Sequence, residues 1–460
     1  MKTNQNKEMI QYDLVVVGGG ISGYIAAISS AQKGKKVALI EKEKLGGFDL
    51  YHGQVPLKFL KMNTELIRSC ATAQKRGVFI SGINVDYSNI QREKQSRISN
   101  LARQMERNLI KEGVDYYQGL GIVYPENKIE IEMENEGSMH LEGVDIILAT
   151  GSQTKKPDKY LRLPNLFLDI QAHELEEIPK ELLILGNGIR ACEYASYFAT
   201  LGTKVTMYTS SDVMVEGLDV DLNVALATAL AHDGVIVRTG MELLDIYADS
   251  LGDIHVEVES RLTKSKTSMV CSMAMMATEE GGNQTGLKNL ELDFSNGHLV
   301  VDEYLQTELP HIFGIGSVTG NKNGVQAMGR IIASNFDEAK NLWKPEHAAC
   351  IIQSSPMVGS IGLCENDLDN KDVDYQVVSR SFTKNHRTYL ENETDGFLKL
   401  IIEKSTGKIA GIHTFGPGTL EIIAQAEVLM AMDGTVDDLA KIIERYPSFV
   451  SNGINLAHSL

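Results

Sequence analysis

Cysteine is scarce in this chain and is never closely paired. The five cysteines among the 460 residues are Cys70, Cys192, Cys271, Cys350 and Cys364. None belongs to a C-x-x-C or a C-x4-C motif, so the chain lacks the usual spacing of a redox disulfide or of a cysteine-rich metal site. Isolated cysteines in a cytosolic chain are usually small core residues, and we interpret these five in that way.

Long apolar runs and an excess of basic charge are missing as well. No apolar stretch approaches the roughly 18 residues that span a bilayer. The first residues, before the strand pattern at 13–17, contain no apolar signal-peptide core. The formal net charge of −17 argues against nucleic acid or an anionic membrane as the main partner. We therefore expect a cytoplasmic protein with no membrane span and no nucleic-acid partner.

The chain does contain a repeated structural pattern. Apolar residues make up 43% of it, enough for sizeable cores, and a length of 460 predicts about two to four domains. Residues 13–17 and 182–185 read as buried parallel strands, and each is followed by a glycine turn, a helix and a second strand. Residues 114–132 have the pattern of a small antiparallel sheet. From residue 346 onward strands are followed by helices, which indicates a separate α+β domain.

The first glycine turn has the features that a dinucleotide requires. Gly18, Gly20 and Gly23 follow a strand and open a helix, and Glu41 ends the next strand. The first glycine permits the tight turn, the second lets the backbone approach a pyrophosphate, and the third lets the helix pack on the strand. The helix N-terminus offers N–H groups to phosphate oxygens, and Glu41 would accept hydrogen bonds from a ribose. A glycine-rich turn without a ligand is the alternative.

The second glycine turn is less complete. Gly186, Gly188 and Ala191 repeat the spacing, but the strand that follows ends without an acid or an arginine that would select NAD or NADP. Arg190 also places a bulky cation where the backbone and a ligand should meet. The turn predicts a second dinucleotide site of unreadable specificity. A retained fold with weak or no nucleotide binding is the alternative.

Several motifs together resemble one family over nearly the whole chain. The A-T-G turn at 149–151, the glycines and lysine in 46–58, and the stretches 396–400 and 406–411 are similar to those of the pyridine-nucleotide disulfide oxidoreductases, and to dihydrolipoamide dehydrogenases among them. The resemblance implies an α/β fold class. It consists of two Rossmann-like dinucleotide-binding domains and a C-terminal α+β dimerisation domain.

The resemblance also implies domain bounds, cofactors and partners. Residues 1–150 and 278–345 would form a discontinuous FAD-binding domain, 151–277 the NAD(P)-binding domain, and 346–460 the interface of a homodimer whose active site spans both subunits. FAD would occupy the first site and NAD(H) or NADP(H) the second. A component of a 2-oxoacid dehydrogenase-type complex is the implied assembly partner. The residues that the resemblance assigns to FAD are Gly18, Gly20, Ser22, Gly23, Glu41, Lys58, Gly119, Thr150, Gly151, Ser152, Gly316 and Ser317. Those that it assigns to the nicotinamide nucleotide are Gly186, Gly188, Ala191 and Glu193.

Departures from the family pattern concern its thiol chemistry. Asp49 and Gln54 stand where the family has its two redox cysteines, and neither side chain forms a disulfide or a thiolate. Tyr446 replaces the histidine of the family's His-Pro dipeptide, and Ser451 replaces the glutamate that orients it. A phenol exchanges protons near neutral pH less readily than an imidazole. The joint loss indicates that disulfide chemistry is absent.

Two further departures touch the cofactor sites. Ser317 replaces the aspartate that holds the ribityl chain of FAD, which predicts weaker rather than abolished binding. Residues 278–280 (Thr-Glu-Glu) replace a glycine-arginine stretch near the nicotinamide nucleotide, and an acid pair there would repel its phosphates.

Five residues are candidate catalytic groups. Lys58 and Glu193 match a family ion pair beside the flavin ring, and solvated helix charges are the alternative. Asp49 is a candidate base toward a bound substrate and Gln54 lies beside it, although both also suit a polar loop that has drifted. Tyr446 is a candidate hydrogen-bond donor to a substrate oxygen from the partner subunit.

Three functions remain open from the sequence. The first is an FAD enzyme that passes hydride from NAD(P)H to a small acceptor other than a disulfide. The second is a non-catalytic dihydrolipoamide dehydrogenase-like protein that acts as a binding or assembly module. The third is disulfide reduction through other cysteines, for which Cys70 and Cys192 are the nearest candidates.

Overall fold

The computed structural model describes residues 9–134, 137–154, 160, 163–277, 280–336 and 341–460. The chain divides into two compact units. The first unit comprises Met1–Phe59, Asn89–Lys155 and Glu279–Pro345, and the second comprises Leu60–Ser88, Lys156–Thr278 and Glu346–Leu460.

The helices and strands of the described residues are numbered in chain order. The helices are α1 (Ile21–Ala31), α2 (Gly47–Tyr51), α3 (Gln54–Thr72), α4 (Tyr87–Lys111), α5 (Ile189–Thr200), α6 (Val220–His232), α7 (Val325–Asn335), α8 (Glu365–Asn370), α9 (His386–Glu391), α10 (Thr419–Ala431), α11 (Val436–Ala440) and α12 (Ser451–Ala457). The strands are β1 (Ile10–Val17), β2 (Val37–Glu41), β3 (Asp115–Gln118), β4 (Leu120–Tyr124), β5 (Lys128–Met133), β6 (Gly137–Leu148), β7 (Ser152–Thr154), β8 (Leu166–Leu168), β9 (Glu181–Leu185), β10 (Lys204–Tyr208), β11 (Ile236–Arg238), β12 (Met241–Ala248), β13 (Ile254–Ser260), β14 (Lys266–Cys271), β15 (Ala274–Met276), β16 (Glu280–Gly282), β17 (Phe294–Ser295), β18 (His298–Leu299), β19 (Ile312–Gly314), β20 (Cys350–Ile352), β21 (Val358–Gly362), β22 (Tyr375–Ser381), β23 (Phe397–Glu403) and β24 (Ile409–Phe415).

The first unit is built on a mixed sheet with the order β3-β2-β1-β6-β5-β4, and β19 pairs with β6. Strands β3, β2, β1, β6 and β19 are parallel, and β2 is buried along its whole length, as expected for a strand covered on both faces. Strands β4 and β5 form an antiparallel hairpin that continues into β6. The antiparallel sheet predicted for 114–132 is therefore wrong for β3, which pairs in parallel with β2.

The second unit holds the other parallel sheet, with the order β11-β10-β9-β15-β8. Strand β9 lies between β10 and β15 and is almost completely buried, which is the position of the first strand of a Rossmann-like module. The antiparallel sheet β12-β13-β14 belongs to the same unit. The duplicated α/β pattern expected from the sequence is confirmed.

The C-terminal part of the second unit is an antiparallel sheet with the order β20-β21-β24-β23-β22, against which α10 packs. Lys399 on β23 is buried there, and its ammonium contacts Asp219 at 2.9 Å, Asp221 at 2.8 Å and Glu365. Burial alone would lower the pKa of Lys399, but the hydrogen bonds that its ammonium donates to these carboxylates raise it. The predicted α+β arrangement of this region is confirmed.

Within the described residues, no helix is both long enough and apolar enough to cross a membrane.

Candidate functional site

Each of the three glycines of the first glycine turn has a different structural role. Gly18 has φ +113°, and a Cβ there would lie 2.1 Å from the carbonyl oxygen of Ala149. A Cβ at Gly23 would lie 2.0 Å from the carbonyl oxygen of Gly18, so only glycine lets α1 approach β1 this closely. A Cβ at Gly20 would meet no atom within 4 Å. The turn is therefore tight on the protein side and open at its middle glycine, as a pyrophosphate cradle requires.

Glu41 stands at the carboxyl end of β2 and is 7% exposed. One carboxylate oxygen accepts a hydrogen bond from the Gly19 N–H at 2.7 Å, and the other accepts from the Glu43 N–H at 2.8 Å. Burial raises the pKa of Glu41, and these two hydrogen bonds partly offset that rise. A carboxylate has about four acceptor positions, so two remain for ribose hydroxyls.

Two glycines from the last part of the first unit, Gly316 and Gly329, pack against Ser22 on α1, just after the first glycine turn. Gly316 follows β19 with φ +76°, and a Cβ there would lie 2.5 Å from the Ser22 hydroxyl oxygen on α1. A Cβ at Gly329 on α7 would lie 2.6 Å from the Ser22 carbonyl oxygen. Ser22 and Gly316, two residues assigned to FAD from the resemblance, therefore lie side by side. Ser317 is the next residue and is half-buried.

The A-T-G turn is held by a residue that the sequence reasoning missed. Thr150 donates from its hydroxyl to the Asn283 carbonyl at 2.6 Å, and the Asn283 amide returns a bond to the Thr150 carbonyl at 3.2 Å. The Asn283 N–H also donates to the Gly151 carbonyl at 2.9 Å. Ser152 then pairs with Gly282 between β7 and β16. Because Asn283 lies 133 residues from Thr150, no local pattern points to it.

Gly119 has a role within the fold of the first unit. Its N–H donates to the Glu41 carbonyl at 2.9 Å, and a Cβ there would lie 2.7 Å from the Glu132 carbonyl oxygen. Gly119 therefore fixes the end of β2, where Glu41 stands. Its assignment to FAD stays a prediction.

The second glycine turn repeats the geometry of the first. A Cβ at Gly186 would lie 2.5 Å from the Ala277 carbonyl oxygen, whereas a Cβ at Gly188 would meet nothing within 4 Å. Ala191 is fully buried, so α5 packs on β9 with a methyl group in place of the third glycine. The Arg190 guanidinium bonds to the Asp169 carboxylate at 2.8 Å. The cation that the sequence placed at the ligand position is thus neutralised by a buried acid.

Asp49 and Gln54 lie in the first unit on two consecutive helices. Asp49 is in the first turn of α2 and is half-buried, while Gln54 begins α3 and is exposed. A Cβ at Gly53 would lie 2.7 Å from an Asp49 carboxylate oxygen, so the carboxylate packs directly over the glycine that separates the helices. The catalytic roles suggested for both residues stay predictions.

Glu193 on α5 is completely buried, and one of its carboxylate oxygens accepts from the Gln353 N–H at 2.7 Å. Lys58 on α3 is half-buried, and its ion pair with Glu193 stays a prediction. Lys61, one turn further along α3, was not anticipated. It is 2% exposed, and its ammonium donates to the Ser196 hydroxyl at 3.2 Å. Burial lowers the pKa of Lys61 to about 8, with Arg68 adding to the decrease and Glu193 opposing it.

Tyr446 lies beside a histidine that the sequence reasoning missed. Its hydroxyl is 2.9 Å from Nδ1 of His386, and the two rings meet edge to face with centroids 5.8 Å apart. Asn385, just before His386, is buried and donates to the Ser448 carbonyl at 3.0 Å, which ties α9 to the segment after Tyr446. A separation of 60 residues hides this pair from pattern reasoning. An imidazole therefore lies beside the residue that the resemblance assigns to the position of the family histidine.

All five cysteines lie in the described residues, and none forms a disulfide. Burial raises the pKa of the Cys192 thiol, that of Cys271 to about 11 and that of Cys364 to about 12. The thiolate is the reactive form of cysteine, so these three are inert at neutral pH. The interpretation of these three as core residues is confirmed by their burial.

The family can now be stated. Residues 12–337 match the family model described as pyridine nucleotide-disulphide oxidoreductase, and residues 348–455 match the dimerisation domain of the same family. The chain belongs to the pyridine nucleotide-disulphide oxidoreductases. It is an oxidoreductase of the flavoprotein type, and its cofactors are FAD and NAD(H).

Known relatives cover nearly the whole chain. A dihydrolipoyl dehydrogenase of Bacillus subtilis is 29% identical over 459 residues, which cover 95% of each chain. The leghemoglobin reductase of Glycine max is 26% identical and covers 95% of this chain and 85% of its own. Among solved structures, LpdA from Mycobacterium tuberculosis superposes with a TM-score of 0.88 at 21% identity, covering 98% of this chain and 99% of its own. The copper(II) complex of the flavoprotein disulfide reductase RclA from Escherichia coli gives a TM-score of 0.83 at 23% identity, covering 98% of this chain and 100% of its own. The structural matches support the fold.

Proposed function

We propose that this protein is an FAD-dependent NAD(P)H oxidoreductase that delivers electrons to an acceptor other than a disulfide. The observation that carries the proposal is the state of its thiols. The resemblance places Asp49 and Gln54 at the positions of the family cysteine pair, and burial raises the pKa of three of the five cysteines in the chain. The relative named leghemoglobin reductase supports the idea, since it is named for an acceptor that is not a small disulfide.

The glycine turns are the groups that hold the cofactors. Gly18, Gly20 and Gly23 present an open backbone to the pyrophosphate of FAD, and Gly186 and Gly188 do the same for the nicotinamide nucleotide. Bound FAD supplies the hydride and electron transfer. We further propose the domain bounds stated above, with 1–150 and 278–345 for FAD, 151–277 for NAD(P) and 346–460 for a homodimer interface. Thr278 and Glu279, the expected source of phosphate repulsion, lie outside the described residues.

Tyr446 and His386 are the proposed route for a proton. When His386 carries no proton on Nδ1, the Tyr446 hydroxyl donates to it across 2.9 Å. When Nδ1 is protonated, the imidazolium donates to the tyrosine oxygen, and the phenol proton is then directed to a substrate oxygen. The pair thereby gives the phenol a direct partner for proton exchange. A small acceptor whose oxygen gains a proton on reduction fits this arrangement.

Anaerobic titration of the purified protein with NADH and then NADPH tests the proposal. We expect one or both to bleach the visible bands of oxidised flavin. Reoxidation is then followed with a quinone, ferricyanide, dioxygen and lipoamide. The first three should turn over, and alkylation of all thiols should leave their rates unchanged. Tyr446→Phe should slow an acceptor that needs a proton and leave ferricyanide, which needs none, unaffected.

Two results would contradict the proposal. Reduction of lipoamide at a rate comparable with that of the best acceptor, lost on thiol alkylation, would restore disulfide chemistry through the remaining cysteines. Bound FAD that neither nucleotide reduces would favour the binding or assembly function instead. In that case, association with an acyltransferase core of a 2-oxoacid dehydrogenase complex becomes the measurement to make.

A further inference from the structure

The C-terminal part of the second unit contains a cavity of about 320 Å³ beside Tyr446. It is partly open to solvent and is bounded by β22, α9 and α12 together with the segment 444–448. We name it the Tyr446 pocket. Its lining includes the charged side chains of Arg380, Lys384, Arg387 and Glu444 and the imidazole of His386.

Positive charge predominates in the Tyr446 pocket although the chain as a whole carries −17. Arg387 is neutralised by Glu391 at 2.5 Å and stacks on the Phe449 ring at 5.4 Å. Arg380 and Lys384 form no ion pair with the described part of the chain. Two cations that lack a protein counter-ion on one wall of a cavity attract an anion and give it charge-assisted hydrogen bonds.

An unpartnered polar group in the lining of the pocket points to the same ligand. Asn452 lines the Tyr446 pocket and is 1% exposed, and its Nδ2 finds no hydrogen-bond partner among the described residues. Buried donors are nearly always paired, so a missing partner needs an explanation. An oxygen of a bound anion would accept from this amide. Asn385 is bonded within the protein, because its amide donates to the Ser448 carbonyl and its oxygen accepts from the N–H groups of Arg387 and Thr388.

Glu444 adds a second requirement. It also lines the Tyr446 pocket, and its Oε2 is buried without a hydrogen-bond partner in the part of the chain that the structure describes. A carboxylate oxygen accepts hydrogen bonds, and it repels an anion that has no hydrogen to donate. The ligand should therefore carry a hydroxyl group as well as its negative charge.

We propose that the Tyr446 pocket binds a small hydroxylated oxyanion, a hydroxy acid or a hydroxylated phosphate ester. Arg380 and Lys384 hold the anionic group, Asn452 donates to one of its oxygens, and Glu444 accepts from its hydroxyl. The ligand lies beside the Tyr446–His386 pair. Its role as the electron acceptor or as a guide for one rests on the proposed function, whereas its binding does not.

Calorimetric titration of the oxidised full-length protein tests binding without any turnover. The probes are malate, glycerol 3-phosphate, succinate and glycerol. Malate and glycerol 3-phosphate should bind, and succinate should bind about tenfold more weakly than malate because it lacks the hydroxyl. Uncharged glycerol should not bind. No heat with either malate or glycerol 3-phosphate would overturn the proposal.

Variants assign the binding to these residues. The double variant Arg380→Gln/Lys384→Gln should lose roughly a hundredfold in malate affinity, about tenfold for each cation removed. Arg445→Gln is the matched control, because Arg445 is an exposed cation adjacent to Tyr446 that does not line the pocket. Glu444→Ala, which removes the acceptor of the ligand hydroxyl, should remove the preference for malate over succinate. Equal losses of malate affinity in the double variant and in Arg445→Gln would show that only the overall charge of the protein matters, and would overturn the assigned site. Because flavin reduction by NADH is measured separately, its failure would reject the proposed function and leave the binding result intact.

Discussion

Replacing Lys61 by methionine should stabilise the protein at neutral pH. The folded protein lowers the pKa of this buried lysine from 10.5 to about 8. At about 1.4 kcal/mol for each tenfold change in proton affinity, the buried charge costs on the order of 3 kcal/mol at pH 7. Methionine keeps the volume and loses the hydrogen bond to Ser196, worth about 1 kcal/mol. For cooperative unfolding of the whole chain or of the second unit alone, a net gain of about 2 kcal/mol corresponds to roughly 2–4 °C in the midpoint of thermal unfolding.

The sign of the pH dependence identifies the cause. Between pH 8 and 10.5 the unfolded lysine keeps its proton and the folded one loses it, so the unfolded state binds more protons and wild-type stability rises with pH. The penalty is fully present below pH 8 and disappears towards pH 10.5. Thermal unfolding should be measured for wild type and Lys61→Met at pH 7 and pH 9.5. The gap between their unfolding midpoints should be smaller at pH 9.5 than at pH 7 by more than half. Lys75→Met, at an exposed lysine, should show no gap at either pH. A gap of equal size at both values, or a less stable Lys61→Met variant at pH 7, would refute the reasoning.

Three other sets of substitutions test the cofactor turn, the C-terminal sheet and the positions that the resemblance assigns to the family cysteines. Gly20→Ala adds a Cβ that meets no protein atom, so it should lower the FAD-to-protein ratio with little change in the melting temperature of the apoprotein. Gly23→Ala places a Cβ 2.0 Å from the Gly18 carbonyl oxygen, so it should lower both the FAD-to-protein ratio and the melting temperature. Lys399→Met leaves Asp219 buried without its cation and should cost about 3–5 kcal/mol in urea unfolding, while Lys404→Met at an exposed lysine should cost under about 1 kcal/mol. The double variant Asp49→Cys/Gln54→Cys should form a disulfide if the family geometry persists. Its number of free thiols after denaturation without reductant would then equal that of wild type. Two extra free thiols would show that the geometry has been lost.

Features carried by local sequence were predictable. The roles of Gly18, Gly20 and Gly23 follow from strand–turn–helix geometry, and the structure gives each glycine the packing or openness that the pattern requires. Glu41 was predictable for the same reason, because the acid ends the strand that pairs with β1. Backbone conformation is decided by neighbours along the chain, so a motif of six residues is enough to specify it.

Side chains that meet across long separations were not predictable from one sequence. Asn283 meets Thr150 across 133 residues, and Lys399 meets Asp219 across 180. From the sequence alone, a buried lysine also cannot be distinguished from a surface lysine until its spatial neighbours are known. Lys61 offered one signal, because Leu57 and Thr64 lie one helical turn to either side and are both buried. A reading of that apolar helix face at i−4 and i+3 places Lys61 inside.

The division between backbone and side-chain chemistry explains how this chain can keep its cofactors and change its acceptor. The nucleotide turns depend on glycines, N–H groups and close packing, and these are intact around both Gly20 and Gly188. The acceptor chemistry of the family depends on a few side chains, and the resemblance assigns those positions to Asp49, Gln54 and Tyr446 in this chain. Substitutions at such positions leave the parallel sheets and their turns undisturbed. A change of acceptor then requires a new proton partner and a new binding surface, and His386 with the Tyr446 pocket offers both within one segment of the fold.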